Sequence, residues 1–96
     1  MIPGSVSKMT EATIPSSATI NPKNDIVNIT GTTQINTINP ALGAAQSQFL
    51  VLVPKDGSIT LGTSGNIAVG GTFDVNRAIF MVFVRSRGKW MINSGI

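Results

Sequence analysis

Apolar and polar residues alternate in short runs along this chain, and these runs predict β-strands. Residues 26–30 are typical of a strand that stops at Gly31, and residues 58–61 alternate so that the side chains of Ile59 and Leu61 share one side. Glycines and prolines interrupt the chain every few residues, and no segment keeps a 3.6-residue apolar period for three turns. The pattern predicts an all-β fold.

Two longer runs, residues 49–53 and 78–84, are apolar without alternation. Most strands of a small β protein face water on one side and alternate. Each of these runs is therefore either buried between two layers or has one face against another subunit, and we expect the subunit contact. Phe80 and Phe83 are an odd number of positions apart, so we expect one in the core and the other between subunits.

Turn signals divide the chain further. Ile35 and Ile38 are three positions apart, which predicts a bend or bulge between them. Asp56-Gly57 predicts a tight turn with a positive φ at the glycine, and Gly88 predicts the turn of a terminal hairpin. The spacing predicts short antiparallel strands in a small sandwich or barrel, or alternatively a short β-helix.

The N-terminal part of the chain differs from the rest. Residues 1–18 are polar and contain little that can build a core, so we expect an extended N-terminal arm followed by an all-β domain over residues 19–96. A frayed end without a role is the alternative. The large apolar side chains that can anchor the arm on a partner are Ile2, Val6, Met9 and Ile14.

Composition supports the strands and limits the partners. Ile, Val and Thr make up 30 of the 96 residues, and these side chains suit a pleated sheet. The net charge is +3, but only 11% of residues are charged, so nucleic acid is not an expected partner. Arg85, Arg87 and Lys89 lie around the hairpin turn beside Trp90. These residues are compatible with three roles: a nucleic-acid site that stacks bases on Trp90, a solvated end of the hairpin, or a contact with an acidic protein surface. The solvated hairpin end is favoured.

The sequence contains few residues of the types that carry out catalysis. The chain has no His and no Cys, and its four acidic residues are scattered. Asp25 and Asp74 are the one candidate pair for glycoside hydrolysis, and the glycine-rich residues 62–66 lack the lysine of a phosphate loop. We expect no enzyme, metal, cofactor or small-molecule substrate. The longest apolar run has seven residues and the start shows no secretory signal, so no membrane contact is expected.

Several segments, taken in order, resemble a module of tailed-bacteriophage virion proteins. The run Ile-Thr-Gly-Thr-Thr-Gln-Ile-Asn-Thr-Ile over residues 29–38 is followed by the apolar run 49–53 and then by Asp-Gly-Ser-Ile-Thr-Leu over 56–61. Gly-Asn-Ile follows at 65–67 and Gly-Lys-Trp at 88–90. The resemblance covers about residues 20–94. Similar modules occur at the C-termini of tail fibres and in small head proteins.

The resemblance implies a homotrimer that forms part of the virion. Because the chain opens with a short arm and has no shaft repeats, we expect a capsid decoration (cement) protein on the capsid exterior. It would be made in the host cytoplasm, bind the major capsid protein and stabilise the assembled shell. A trimeric or receptor-binding module from the C-terminus of a tail fibre is the alternative. The residues expected at the subunit interface are Ile79, Phe80, Met81, Phe83 and Trp90.

Overall fold

The computed structural model describes residues 10–92, and within this range the chain forms β-strands and no helix. The prediction of an all-β fold is confirmed. The strands are β1 (Glu11–Pro15), β2 (Thr19–Ile20), β3 (Ile26–Thr30), β4 (Thr37–Ile38), β5 (Gln48–Pro54), β6 (Ile59–Leu61), β7 (Gly71–Phe73), β8 (Ile79–Val84) and β9 (Lys89–Ile92).

Five of these strands form the main sheet, in the order β1-β3-β5-β8-β9. The first three strands are parallel, and β8 and β9 add an antiparallel hairpin beside β5. The prediction of antiparallel strands is therefore wrong for half of this sheet. Parallel neighbours need a crossover connection, and the short strands between them supply it.

Those short strands form a second layer. β2 pairs in parallel with β4, Ile35 forms a parallel bridge with Leu61 of β6, and β6 pairs with β7. The chain thus alternates between the main sheet and the second layer through β1 to β6. No closed barrel is present among the described strands, and the sandwich is not confirmed.

The hydrophobic core lies between the main sheet and the second layer. Its members are apolar residues of both layers, each at most 3% exposed. They are Ile20, Val27, Ile29, Ile35, Ile38, Leu50, Leu52, Ile59, Leu61, Ile67, Ile79, Met81, Phe83 and Trp90. Neither layer buries its apolar side without the other, so the two fold as one unit.

Trp90 connects the terminal hairpin to the second layer. Its indole Nε1 donates to the carbonyl of Ile38 at 2.8 Å, and its ring packs against Phe83 with the centroids 5.3 Å apart. Asn66 bonds the same residue twice: its Nδ2 donates to the Ile38 carbonyl at 2.7 Å, and its Oδ1 accepts from the Ile38 N–H at 2.9 Å. The polar groups in this region are therefore paired, as burial requires.

The predicted bend between Ile35 and Ile38 is confirmed. Both side chains are fully buried although they are three positions apart. Between them, the N–H groups of Asn36 and Thr37 both donate to the carbonyl of Ala18, at 2.9 and 3.0 Å. Two residues opposite one is the arrangement of a β-bulge, and the extra residue turns both isoleucines into the core.

The two predicted glycine turns have different outcomes. Gly88 has a φ of 65° and forms the turn of the terminal hairpin, as expected. Gly57 does not have a positive φ, and the strands on either side of it lie in different sheets. A Cβ at Gly57 would approach the Thr32 side chain to 2.8 Å, so the glycine is needed for a close approach. The predicted tight turn is instead a corner between layers.

The extended arm over residues 1–18 is not confirmed. Residues 1–9 lie outside the described residues. From Glu11 onward the chain forms β1, which pairs with β3 along its whole length, and Ile14 packs against the core. Composition alone did not predict that β1 joins the sheet. A polar strand at the edge of a sheet has its backbone hydrogen bonds supplied by the neighbouring strand, so one apolar side chain facing the core is enough to hold it there.

Candidate functional site

The main sheet has one face toward the core and one face that no other part of residues 10–92 covers. Because side chains alternate, the residues between the core positions of each strand point outward. We call their apolar members the open face. They are Ile26, Phe49, Val51, Val53, Phe80, Val82, Val84 and Met91.

The open face is continuous across the strands. Phe49 lies opposite Val82, Val51 lies opposite Phe80, and Val82 also lies opposite Met91. Phe49 is 77% exposed and Phe80 is 59% exposed, whereas Val51 at the centre is only 8% exposed. A shallow groove of about 420 Å³ lies along the Phe49, Phe80 and Met91 side chains. Because contiguous exposed apolar surface is typical of interaction sites, the open face is the candidate functional site of this protein.

Polar residues border the open face at the β1 edge. Glu11 lies opposite Ile26, and Asn28 lies opposite both Thr13 and Val53. The Asn28 Nδ2 donates to Glu11 Oε2 at 2.7 Å and to the carbonyl of Ala12 at 3.3 Å. Asp25 precedes β3 at the same end of the sheet, and its Oδ2 accepts from the Thr10 N–H at 3.4 Å.

Cationic residues border the open face at the other edge of the sheet, beside the start of β5. Arg85, Arg87 and Lys89 are all exposed around the β8–β9 turn, and Lys89 lies opposite Val84. The Arg85 N–H donates to Ser47 Oγ at 3.2 Å, which places the turn beside the start of β5. The solvated tip, which the sequence favoured, agrees with this exposure.

The five residues expected at a subunit interface lie on both faces. Ile79, Met81, Phe83 and Trp90 are in the core of the single chain, each at most 2% exposed. Only Phe80 lies on the open face. The structure thus confirms that Phe80 and Phe83 point in opposite directions.

Sequence reasoning missed Phe49, Val82 and Met91 as members of the open face. A signal was present, because the run 49–53 was recognised as having a face for a second layer or a subunit. Its odd-numbered residues, starting with Phe49, are the outward ones, but nothing local says which half of an apolar run is covered. That choice depends on the strands that pack against it.

The residues proposed as anchors of the arm are only partly described. Ile2, Val6 and Met9 lie outside the described residues. Ile14 is half-buried in β1 and packs against the core, so it supports the fold of its own chain.

The acidic residues do not form a site within residues 10–92. Asp25 precedes β3, whereas Asp74 follows β7 and accepts a hydrogen bond from the Asn76 N–H at 2.9 Å. Asp56 accepts from the Gly31 N–H at 3.1 Å. No group of three potential metal ligands occurs in this part of the chain. None of its segments is a helix long and apolar enough to cross a membrane.

Comparisons with known proteins gave no match, whether to a family model, a curated protein or a solved structure.

Proposed function

We propose that this protein is a capsid decoration (cement) protein of a tailed bacteriophage. It acts as a homotrimer and has no catalytic role. The observation that carries the proposal is the open face, an apolar sheet surface with two exposed phenylalanines. The resemblance to virion modules supplies the trimeric state and the virion location.

The open face is suited to contact with other copies of the chain. Burying one phenylalanine or valine side chain contributes about 1.5–3 kcal/mol, so a few of these residues suffice to hold subunits together. The chain has 5595 Å² of accessible surface, and a standard interface takes about 800 Å² from each partner. In a trimer, the open faces turn toward the common axis and leave the second layer outward.

Stabilisation of the shell follows from mass action. A trimer that binds the assembled shell, and not its free subunits, lowers the free energy of the assembled state. Many trimers on one shell add their contributions. Within this proposal, residues 1–9 and the surfaces outside the open face are available for the major capsid protein.

A terminal module of a tail fibre is the second candidate, and one observation favours it. β1 is the first strand of the path that alternates between the two layers. Its outer edge has no strand partner among the described residues. A preceding coil of a longer chain fits beside that edge, since parallel strands would continue the same ladder.

Two measurements test the proposal. Sedimentation equilibrium is expected to give three times the chain mass of 10.0 kDa, and a monomer at micromolar concentration contradicts it. Co-sedimentation with undecorated heads is expected to show saturable binding. A trimer that binds host cells but not heads supports the fibre module instead.

Shell binding is further tested by deleting residues 2–9, which removes the proposed anchors Ile2, Val6 and Met9 but keeps β1. The expected result is an intact trimer that no longer binds heads. If the shortened chain still binds heads with unchanged occupancy, residues 2–9 are not needed and other surfaces of the trimer bind the shell. A deletion to residue 14 is unsuitable, because it removes most of a strand of the main sheet.

A further inference from the structure

The strands of the main sheet carry two charged residues, Glu11 on β1 and Lys89 on β9, the two edge strands. Asp25 also lies at the β1–β3 side, with Lys23 two positions before it, and we call Glu11 and Asp25 the acidic edge. Arg85, Arg87 and Lys89 lie at the β8–β9 turn, and we call them the basic tip. Residues 75–96 contain no acidic residue, so the hairpin has no neutralising partner of its own.

Glu11 and Lys89 are too far apart to neutralise each other within one subunit. They lie on β1 and β9, the two edge strands of a five-stranded sheet, so four strand spacings separate them. At about 4.8 Å for each spacing, that distance is roughly 19 Å. It exceeds the Debye length of about 8 Å at physiological salt, so each group acts on what comes next to it.

Both groups have a member on the border of the open face. Glu11 shares the row of Ile26 and Val51, and Lys89 stands beside Val84 and Met91 on the outward side. A surface that covers the open face of one subunit therefore also meets both charged borders.

Cyclic symmetry decides how the borders meet. In a ring of three, each contact joins two different patches, one from each neighbour. Contacts that put two acidic edges or two basic tips together place like charges side by side, which is unfavourable. The matching contact puts one acidic edge against one basic tip.

We propose that subunits of the trimer associate head to tail, with Glu11 of one subunit against Lys89 of the next. This inference rests on the proposed function, and it names the geometry of the same surface. The open face supplies the affinity, while the exposed charges select the orientation, since exposed ion pairs add little affinity.

The backbone at the β9 edge supports a contact made by side chains. The Trp90 N–H donates to the Asn66 carbonyl at 2.8 Å, and the Trp90 carbonyl accepts from the Ala68 N–H at 2.9 Å. These groups are the ones that a neighbouring strand would need. The main sheet therefore does not continue into the next subunit through Trp90.

Charge reversal tests the proposal. Glu11→Lys and Lys89→Glu are each expected to raise the dissociation constant of the trimer by about tenfold at low salt. The double variant in one chain restores the opposite charges and is expected to recover the affinity of the original chain to within about threefold. The measurement is sedimentation equilibrium at low and high salt, with the difference shrinking at high salt.

A mixture of the two single variants gives a sharper result. Every contact between unlike chains then joins opposite charges, but a ring of three must keep at least one contact between like chains. The mixture is expected to recover only part of the affinity. Full recovery, with a dimer mass, overturns the head-to-tail ring of three.

Matched controls change the same charge elsewhere. Asp74→Lys lies outside the main sheet, and Lys55→Glu lies just after β5, at the end away from the tip. Both are expected to leave the dissociation constant within threefold. Glu11→Gln separates charge from the Asn28 hydrogen bond, and thermal unfolding checks that each variant folds.

The outcomes of this proposal and of the proposed function differ. If the original chain is a trimer but the double reversal fails to restore association, the contact between Glu11 and Lys89 is wrong and the function stands. Equal effects of the reversals and their controls contradict that contact in the same way. If the original chain is a monomer at every concentration tested, the proposed function fails first.

Discussion

The core face and the open face of the main sheet are built by the same strands and from similar apolar residues, yet the part of the chain that the structure describes covers only the core face. Phe83 and Phe80 show the difference within one strand: Phe83 is 2% exposed and Phe80 is 59% exposed. Both are flanked by apolar neighbours. What differs is the second layer, which covers only the core face. An apolar residue on a strand is therefore assigned a role by what packs against it.

The largest expected effect is on the core face. Phe83→Ala is expected to lower the free energy of unfolding by about 3–5 kcal/mol, because it leaves a cavity beside the Trp90 ring. Denaturant unfolding measures this, with Phe80→Ala as the matched control. Equal losses from both substitutions, measured on the monomer, would contradict the difference between the faces.

An intermediate effect is expected where the second layer is held against the core. Asn66→Ala removes two hydrogen bonds to Ile38 and leaves a partly buried N–H without its acceptor. The expected loss of unfolding free energy is about 2–3 kcal/mol. Asn39→Ala is the control, since its exposed bond to Asn21 is expected to contribute less than about 1 kcal/mol. If Asn39→Ala lowers the free energy of unfolding as much as Asn66→Ala, the hydrogen bonds between Asn66 and Ile38 do not have this special role.

On the open face, the effect on the single chain is expected to be small and the effect on assembly large. Phe80→Asp is expected to change the unfolding free energy of the monomer by about 1 kcal/mol or less, since the side chain is mostly in solvent. The trimer is expected to dissociate, because each interface then buries a charge without a partner. Sedimentation equilibrium and denaturant unfolding at low protein concentration separate the two. An intact trimer would exclude Phe80 from the interface.

The smallest effect is expected from removing metal ions. Neither face carries His or Cys, and the chain's four carboxylates are scattered along the sequence. Dialysis against a chelator is expected to leave the melting temperature and the trimer mass unchanged. A loss of several degrees would show that a divalent ion supports one of the faces.

Local patterns were enough to predict some of these features. The strands that contain residues 26–30, 49–53, 59–61, 79–84 and 89–92 were predicted correctly, as were the bulge between Ile35 and Ile38, the hairpin at Gly88 and the opposite directions of Phe80 and Phe83. Each depends on residues within a few positions of one another. Alternation, glycine conformation and turn chemistry act over that range.

The candidate site was predicted only in part. The runs 49–53 and 78–84 were correctly predicted as strands, and both faces of each are apolar. Of the expected interface residues, Phe80 lies on the open face, whereas Trp90 is buried and bonded to Ile38. Trp90 stands next to charged residues in the sequence, which suggested an exposed contact. Its burial depends on a hydrogen bond to the carbonyl of Ile38, which lies 52 positions away in the sequence.

By itself, the sequence determined that this chain forms short strands, which side chains share a side of each strand, and where the last hairpin turns. The tertiary structure alone decided that β1 joins the sheet, that β1, β3 and β5 run parallel, and which apolar side is covered. The reason is physical. The direction of each strand, and the choice of the face that the second layer covers, depend on pairings such as Ile20 with Ile38 and Ile35 with Leu61. Those pairings are selected by the packing of the whole core, not by any local pattern.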